Sequence, residues 1–312
     1  MNWFDDFSDI VRADVPLAPF TWYRLGGPAR WLVEPRDERQ LAAVLRRCRD
    51  AGVETRMLGK GANLLVSDEG VDAAVIRLSG PAFEDVAYEG RRVVAGAGAD
   101  LVQLVKATAH RGLAGLEGLA GIPATVGGAV RMNCGGKYGE IGERVRSVRV
   151  VTRDGELFDR TDVRFEYRRT DLNGDCVVAA TLELTPADPA ATYALYRAVY
   201  DEKTAAQPRL GERSAGCVFK NPSCGKAGQL IDECGLKGAQ RGGAIVSPRH
   251  ANFIVAQNGA TARDVLELIR HVQRTVADRR GVMLELEVEV WSPEGAPMPG
   301  CLNPDACERA CV

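Results

Sequence analysis

The 312-residue chain is 46% hydrophobic, enough to fill the cores of two or three domains of ordinary size. Its 40 Lys+Arg and 42 Asp+Glu give a formal net charge of −2 with both signs scattered, which argues against nucleic acid and anionic membrane as bulk partners. The opening residues, MNWFDDFSDIVRAD, are acidic and lack an apolar core, and no uncharged apolar run approaches the ~20 residues of a membrane span. The expectation is a cytoplasmic globular protein without membrane insertion.

Trp31-Leu32-Val33 predicts a strand, and residues 35–52 predict a helix with Leu41, Ala42, Val44, Leu45 and Cys48 at helical spacing. Val53 to Leu58 predicts the next strand, so the order is β-α-β. The turn that follows, Gly59-Lys60-Gly61-Ala62-Asn63 before Leu64, is a place where backbone N–H groups can hold a pyrophosphate and Lys60 can add charge. A plain strand-end turn has the same composition, and the GxxxxGK[ST] spacing of a P-loop is absent. Val75 to Leu78 and Arg92 to Ala95 predict further strands. Gly96-Ala97-Gly98 then opens a helix carrying Leu101, Leu104, Val105 and Thr108 on one face, without the third glycine of a dinucleotide fingerprint.

Gly115 to Gly136, GLEGLAGIPATVGGAVRMNCGG, is rich in small residues and nearly uncharged. It reads either as a loop that wraps a flat ligand with backbone amides or as a buried crossover between strands. Val145 to Val151, Gly155 to Phe158 and Val177 to Leu184 alternate as strands do, giving an α+β middle. Tyr167-Arg168-Arg169 is either a surface salt-bridge segment or a stacked guanidinium able to reach an oxyanion. Residues 190–207 predict a tyrosine-bearing helix that stops before Pro208.

In Ser214 to Pro222, Cys217 follows a glycine and precedes Val-Phe-Lys-Asn-Pro; its thiol is either a proton donor or nucleophile, or a buried inert side chain. Ala227 to Cys234 predicts a short helix, and Arg241 to Val246 leads to His250 and a strand at Phe253 to Ala256. His250, one of only three histidines, is either a polar ligand for substrate or a satisfied turn residue. Thr261-Ala262-Arg263-Asp264 predicts a capping box, then a helix bearing Val265, Leu268, Ile269, Val272 and Val276. Val282 to Trp291 predicts one long strand with Glu285, Glu287 and Glu289 on the face opposite the apolar residues. The nine cysteines form no CxxC pair, so thiols are expected. Cys301, Cys307 and Cys311, without a nearby histidine, predict a disordered end at residues 293–312 and no metal site.

Thr21 to Ala29, Gly59 to Val66, Gly115 to Asn133, Tyr167-Arg168, Ala215 to Pro222, Arg249 to Asn252 and Leu284 to Val288, in this order, resemble the UDP-N-acetylenolpyruvoylglucosamine reductase family. Only 48 residues separate Arg168 from Cys217, so the resemblance is to its shorter, type II branch. It implies a mixed α/β, α+β fold: a two-part FAD-binding region of the vanillyl-alcohol-oxidase-like (PCMH) type at 1–79 and 80–207, and a substrate-binding C-terminal domain at 208–292.

The resemblance further implies non-covalent FAD, NADPH as co-substrate, and reduction of UDP-N-acetylglucosamine enolpyruvate to the peptidoglycan precursor UDP-N-acetylmuramate by a monomer. Gly59, Lys60, Gly61, Ala62, Asn63 and Leu64 would hold the pyrophosphate; Ile122, Pro123, Thr125, Gly127, Gly128 and Asn133 would line the isoalloxazine. Arg168 would stabilise developing negative charge with Glu287. Cys217, where most of the family has serine, would give the proton. Tyr167, Lys220, Asn221 and His250 would contact substrate. The alternatives are a flavin oxidase of the same superfamily, against which the lack of His or Cys at Gly59 to Leu64 argues, and a non-catalytic flavin- or nucleotide-sugar-binding protein.

Overall fold

The computed structural model describes residues 3–209 and 211–293; the expectation for Cys301, Cys307 and Cys311 falls outside them. The chain divides into two compact units. The first comprises Met1–Asp14, Trp31–Lys60 and Ala73–Lys203, and the second comprises Val15–Arg30, Gly61–Asp72 and the chain from Thr204 onward.

The first unit contains the predicted β-α-β order. Helix α1 (Glu38–Asp50) starts where Asp37 accepts the Gln40 amide hydrogen at 2.8 Å, the ordinary N-cap solution for a helix's unpaired N–H groups. Its apolar stripe of Leu41, Ala42, Val44, Leu45 and Cys48 is buried with Val33, Ala74, Ile76 and Phe83. Thr55–Met57 pairs in parallel with the strand Val71–Ile76 in a four-stranded sheet that also holds Val11–Pro16 and Pro28–Val33. Helix α2 (Pro81–Glu84) is a single turn.

An antiparallel five-stranded sheet follows, in the order Leu157–Arg160, Val145–Val151, Cys176–Glu183, Arg92–Gly96, Val86–Glu89. Helix α3 (Leu101–His110) buries Leu101, Leu104, Val105, Thr108 and Ala109. The small-residue stretch 115–136 is not one loop: it contains a 3-10 turn at Glu117–Leu119 and helix α4 (Val126–Arg131) capped by Thr125. Gly127 lets this short helix lie close to Ala97, a packing reason that loop composition conceals. Helix α5 (Pro189–Ala206) carries a stack of rings, Tyr193, Tyr196 and Tyr200, with His110 on Tyr193 at 4.0 Å.

In the second unit, Gln240–Arg241, Ala244–Val246 and Ile254–Ala256 form an antiparallel sheet beside helices α6 (Ala227–Glu233) and α7 (Ala262–Arg280). The predicted capping box forms: the Thr261 hydroxyl accepts from Asp264 N at 3.1 Å, and the Asp264 carboxylate accepts from Thr261 N at 3.0 Å. Asp68 doubles this cap, accepting from Ala262 N at 2.9 Å and Arg263 N at 3.0 Å. Val265, Leu268, Ile269, Val272 and Val276 form the buried face of α7. The long strand expected over 282–291 is regular only at Glu289–Trp291, which pairs in parallel with Leu64–Val66. Residues 283–288 carry instead one isolated bridge, Phe219 to Leu286, and single hydrogen bonds to the cysteine loop. Among the described residues no helix is long and apolar enough to cross a membrane.

Candidate active site

In the first unit, two stretches that the sequence marked for a ligand meet. A Cβ at Gly59 would lie 2.7 Å from the Thr125 hydroxyl oxygen, so the start of the glycine turn rests on the cap of α4. Lys60 forms an ion pair with Asp100, and Asp100 also caps α3, accepting from Val102 N at 2.8 Å. The lysine charge is therefore already matched by a carboxylate, which the turn's composition did not reveal. Asp100 in turn bridges to Thr125, and Leu101 N donates to Ala124 O at 3.0 Å.

The amides of the small-residue stretch are largely used within the protein. Ile122 N donates to Leu119 O, Ala124 N to Ile122 O, Val126 N to Ala99 O and Gly127 N to Ala97 O, while Gly128 N donates to the Thr125 hydroxyl at 3.2 Å. Pro123 has no N–H to give. The expected fan of inward amides is thus confined to few positions, and Gly127 instead permits close packing, since a Cβ there would lie 2.8 Å from the Ala97 Cβ. By contrast, among the described residues the backbone N–H groups of Gly59 and Lys60, and of Gly61 and Ala62 in the second unit, donate to no protein acceptor. Gly61 has φ +61° and a Cβ there would strike the Phe20 carbonyl, so only glycine fits. In the first unit, the adjacent unpaired N–H groups of Gly59 and Lys60 suit an anionic ligand. The buried Glu117 carboxylate, whose Oε2 accepts from Gly115 N at 2.8 Å, has its Oε1 without a partner among the described residues. The unpaired turn amides fit an anionic group of a cofactor, whereas the Glu117 oxygen calls for a donor such as a hydroxyl or N–H.

Beyond α4 the first unit gathers Asn133, Glu140, Tyr167 and Arg168. Asn133 and Arg168 both occupy the left-handed region, with φ of 43° and 57°, a conformation uncommon for non-glycine residues and retained where surrounding contacts over-determine it. Arg168 Nη2 donates to Gly135 O at 2.8 Å and Nη1 to Glu140 Oε1 at 3.4 Å. Its guanidinium carbon lies 4.9 Å from the centre of the Tyr167 ring, and its side chain is only 13% exposed. In this segment the solvated salt bridge belongs to Arg169 with Glu166, while Arg168 is enclosed and pairs with Glu140. Asn133 Nδ2 donates to Glu140 Oε2 at 2.6 Å, and its Oδ1 accepts from Gly142 N at 3.0 Å.

Lys203, on the last turn of α5, donates to Gly118 O at 2.6 Å and Ala120 O at 3.2 Å. Burial, then the nearby Arg168 charge, push its pKa down to about 8 against the opposing pull of Cys134 and Glu202. Loss of water around its sulfur pushes the Cys134 thiol up to about 12, so it stays neutral at physiological pH. Glu140 and Lys203 are residues that sequence reasoning missed: each is a single charge in an unremarkable setting, seven residues past Asn133 in one case and at a helix end in the other.

In the second unit the residues just after Cys217 pair with the segment that carries Glu287. Val218 O accepts from Glu287 N at 2.8 Å, Lys220 N donates to Glu285 O at 2.9 Å, and Phe219 bridges to Leu286. This pairing, together with the bond from Asn63 Nδ2 to Glu287 O at 2.8 Å, is what interrupts the long strand. Asn252 fixes the other side of the cysteine loop: its Oδ1 accepts from Phe219 N at 2.9 Å and its Nδ2 donates to Phe219 O at 2.8 Å, while its carbonyl accepts from Val218 N. Gly216 takes φ +73° just before the cysteine.

Leu64 opens the strand beside Glu289 and is buried. Lys220 pairs with Glu285, and Asn221 Oδ1 accepts from Ala227 N at 3.0 Å at the start of α6. His250 Nδ1 accepts from Asn252 N at 3.3 Å, its ring meets Phe253 edge-on at 4.9 Å, and burial lowers its pKa, so it is neutral at pH 7. Cys217 and the other described cysteines, Cys48, Cys134, Cys176, Cys224 and Cys234, carry thiols and no disulfides. Among the described residues no group of His, Cys, Asp and Glu is arranged to hold a metal.

Two family models match this chain. Residues 29–160 match the family model described as an FAD binding domain, and residues 207–291 match UDP-N-acetylenolpyruvoylglucosamine reductase, C-terminal domain. The chain is 42% identical over 285 residues to UDP-N-acetylenolpyruvoylglucosamine reductase 2 of Symbiobacterium thermophilum, covering 90% of this chain and 92% of that one. It is 43% identical over 284 residues to the UDP-N-acetylenolpyruvoylglucosamine reductase of Moorella thermoacetica, with 90% and 93% covered. The crystal structure of the reductase from Thermus caldophilus is similar with a TM-score of 0.79 and 40% identity, over 90% of this chain and 100% of that one.

Proposed function

This chain belongs to the UDP-N-acetylenolpyruvoylglucosamine reductase family, and from that premise we propose that it is the FAD-dependent oxidoreductase that converts UDP-N-acetylglucosamine enolpyruvate to UDP-N-acetylmuramate, with NADPH as reductant. Bound FAD supplies the hydride transfer, from the nicotinamide to the terminal carbon of the enolpyruvyl ether. Gly59 to Leu64 would hold the pyrophosphate through backbone N–H groups, with Lys60 acting as a paired structural cation beside Asp100. Ile122, Pro123, Thr125, Gly127, Gly128 and Asn133 would shape the ring site. In this reading residues 1–79 and 80–207 serve the cofactor and 208–292 the sugar nucleotide, and the protein works as a cytoplasmic monomer.

Hydride arrival at the terminal carbon leaves negative charge on the carbon bearing the ether and on its carboxylate. Arg168 would take that charge, and its enclosure supports the role because a preorganised cation in a site of low water content needs no reorganisation during the reaction. Glu287 would stabilise or protonate the enol form. Cys217 would hand its thiol proton to the ether-bearing carbon; a thiol, with an unperturbed pKa of about 8.5, is a stronger acid than the serine alcohol common in the family. Tyr167, Lys220, Asn221 and His250 would contact the substrate, His250 as a neutral ring.

The observation that carries this reading is the Arg168 constellation: a left-handed arginine, 13% exposed, whose guanidinium is aimed by a carboxylate, a carbonyl and an aromatic face. The test is product analysis. Purified protein with bound FAD, NADPH and UDP-N-acetylglucosamine enolpyruvate should form a product heavier by two hydrogens, with one NADPH oxidised per product. NADPH oxidation at the same rate without the enolpyruvyl substrate, and with no such product, would instead mark an oxidase.

A further inference from the structure

Glu140 stands at the centre of the Arg168 constellation. It lies on a two-residue hairpin in which Gly139–Glu140 pairs with Gly135–Gly136 and Glu140 faces Gly135. Arg168 therefore reads two cross-strand partners at once, donating to the Gly135 carbonyl through Nη2 and to the Glu140 carboxylate through Nη1. The second carboxylate oxygen of Glu140 accepts from Asn133 Nδ2 at 2.6 Å. One carboxylate thus joins the two left-handed non-glycine residues of this region, Asn133 and Arg168. Glu140 N also donates to Glu143 Oε1 at 3.0 Å within a capping box on the turn Ile141–Glu143, which fixes the carboxylate by its own backbone.

We propose that Glu140 is a positioning residue: it aims the Arg168 guanidinium and locks it to Asn133, so that the cation is held in its working direction before substrate arrives. The proposal rests on the role given above to Arg168. Opposite charge fixes the fork of an arginine more tightly than a neutral acceptor does, and the left-handed backbone of Arg168 leaves little freedom to recover the same direction once the carboxylate is lost. Glu140 touches neither reacting carbon in this account. Its effect is exerted through Arg168, and an aimed cation matters only in the step where negative charge develops.

The test separates the two half-reactions in anaerobic stopped flow with the FAD-loaded enzyme. Glu140→Gln keeps the size and an acceptor oxygen but removes the charge; Glu140→Asp keeps the charge on a shorter arm. For Glu140→Gln, flavin reoxidation by UDP-N-acetylglucosamine enolpyruvate should slow about 10- to 100-fold, while flavin reduction by NADPH stays within about twofold, and Glu140→Asp should recover part of the loss. The double variant Arg168→Met with Glu140→Gln should be no slower than Arg168→Met alone, because the carboxylate acts through the arginine. Additive losses in the double variant, equal slowing of both half-reactions, or unchanged reoxidation in Glu140→Gln would each overturn the proposal. If Arg168→Met itself reoxidises at the parent rate, the role of Arg168 is what fails, a result distinct from these.

Discussion

Replacing Lys203 by methionine should change how stability depends on pH, with a sign that follows from its burial. The ammonium group is held at the carbonyls of Gly118 and Ala120, and burial lowers its pKa from 10.5 to about 8. Since the folded pKa lies below the unfolded one, the folded state binds fewer protons between these values. The contribution of Lys203 to stability is therefore fully present above the unfolded pKa and lost as pH falls through about 8. The lowering from 10.5 to about 8 corresponds to about 3 kcal/mol in all, of which about 2 kcal/mol falls between about pH 7 and about pH 9.5.

Other groups act in the opposite direction over the same range. Desolvation raises the thiols of Cys48, Cys134 and Cys176 from 9.0 to about 12, so their contribution is present below 9.0 and falls as pH climbs toward 12. The absolute stability of the parent consequently mixes two trends, and the parent-minus-variant difference isolates the lysine. Urea unfolding of both proteins under reducing conditions, followed by tryptophan fluorescence at about pH 7 and about pH 9.5, should show that difference moving by about 2 kcal/mol in favour of the parent. A difference that stays constant, or that moves toward the variant, would refute the assignment of a buried, depressed lysine at this position.

Cys217→Ala should slow the enolpyruvyl half-reaction by about 10²- to 10⁴-fold, the usual range for loss of a general acid, while Cys217→Ser keeps most of the rate; stopped-flow comparison of the two decides it. Arg168→Met should slow the same step by about 10²- to 10³-fold and leave reduction by NADPH near the parent rate. Gly61→Ala should weaken FAD retention, measured by dialysis and flavin fluorescence, because φ +61° and the Phe20 carbonyl both oppose a Cβ. Asp68→Ala should cost about 1–2 kcal/mol in urea unfolding, since it removes acceptors from two N–H groups at the start of α7.

Much of the fold follows from periodicity. The apolar stripes of α1 and α7, with the cap at Thr261, lie where helical spacing put them, because burial of one face and satisfaction of the first N–H groups are local requirements. Two elements read differently for reasons that spacing does not carry. The strand expected over 282–291 breaks up because 285–287 pair with the cysteine loop whereas Glu289–Trp291 pair with Leu64–Val66. The stretch at 115–136 folds into a 3-10 turn and a short helix because glycines there serve close packing. At the site, motif order marked Arg168, but the left-handed backbone that aims it and the Glu140 carboxylate that holds it depend on a hairpin partner and a distant turn. Single charges such as Asp100, Glu140 and Lys203 leave no pattern in a chain of mixed charge; only their three-dimensional partners distinguish them.

The central claim is that this protein passes reducing equivalents from NADPH to an enolpyruvyl ether in two separable steps. The direct measurement is anaerobic: reduce the bound flavin with one equivalent of NADPH until its visible absorbance is lost, then add UDP-N-acetylglucosamine enolpyruvate. The account predicts that the absorbance returns, with UDP-N-acetylmuramate formed in proportion to the flavin reoxidised. Flavin that stays reduced after the addition would contradict it.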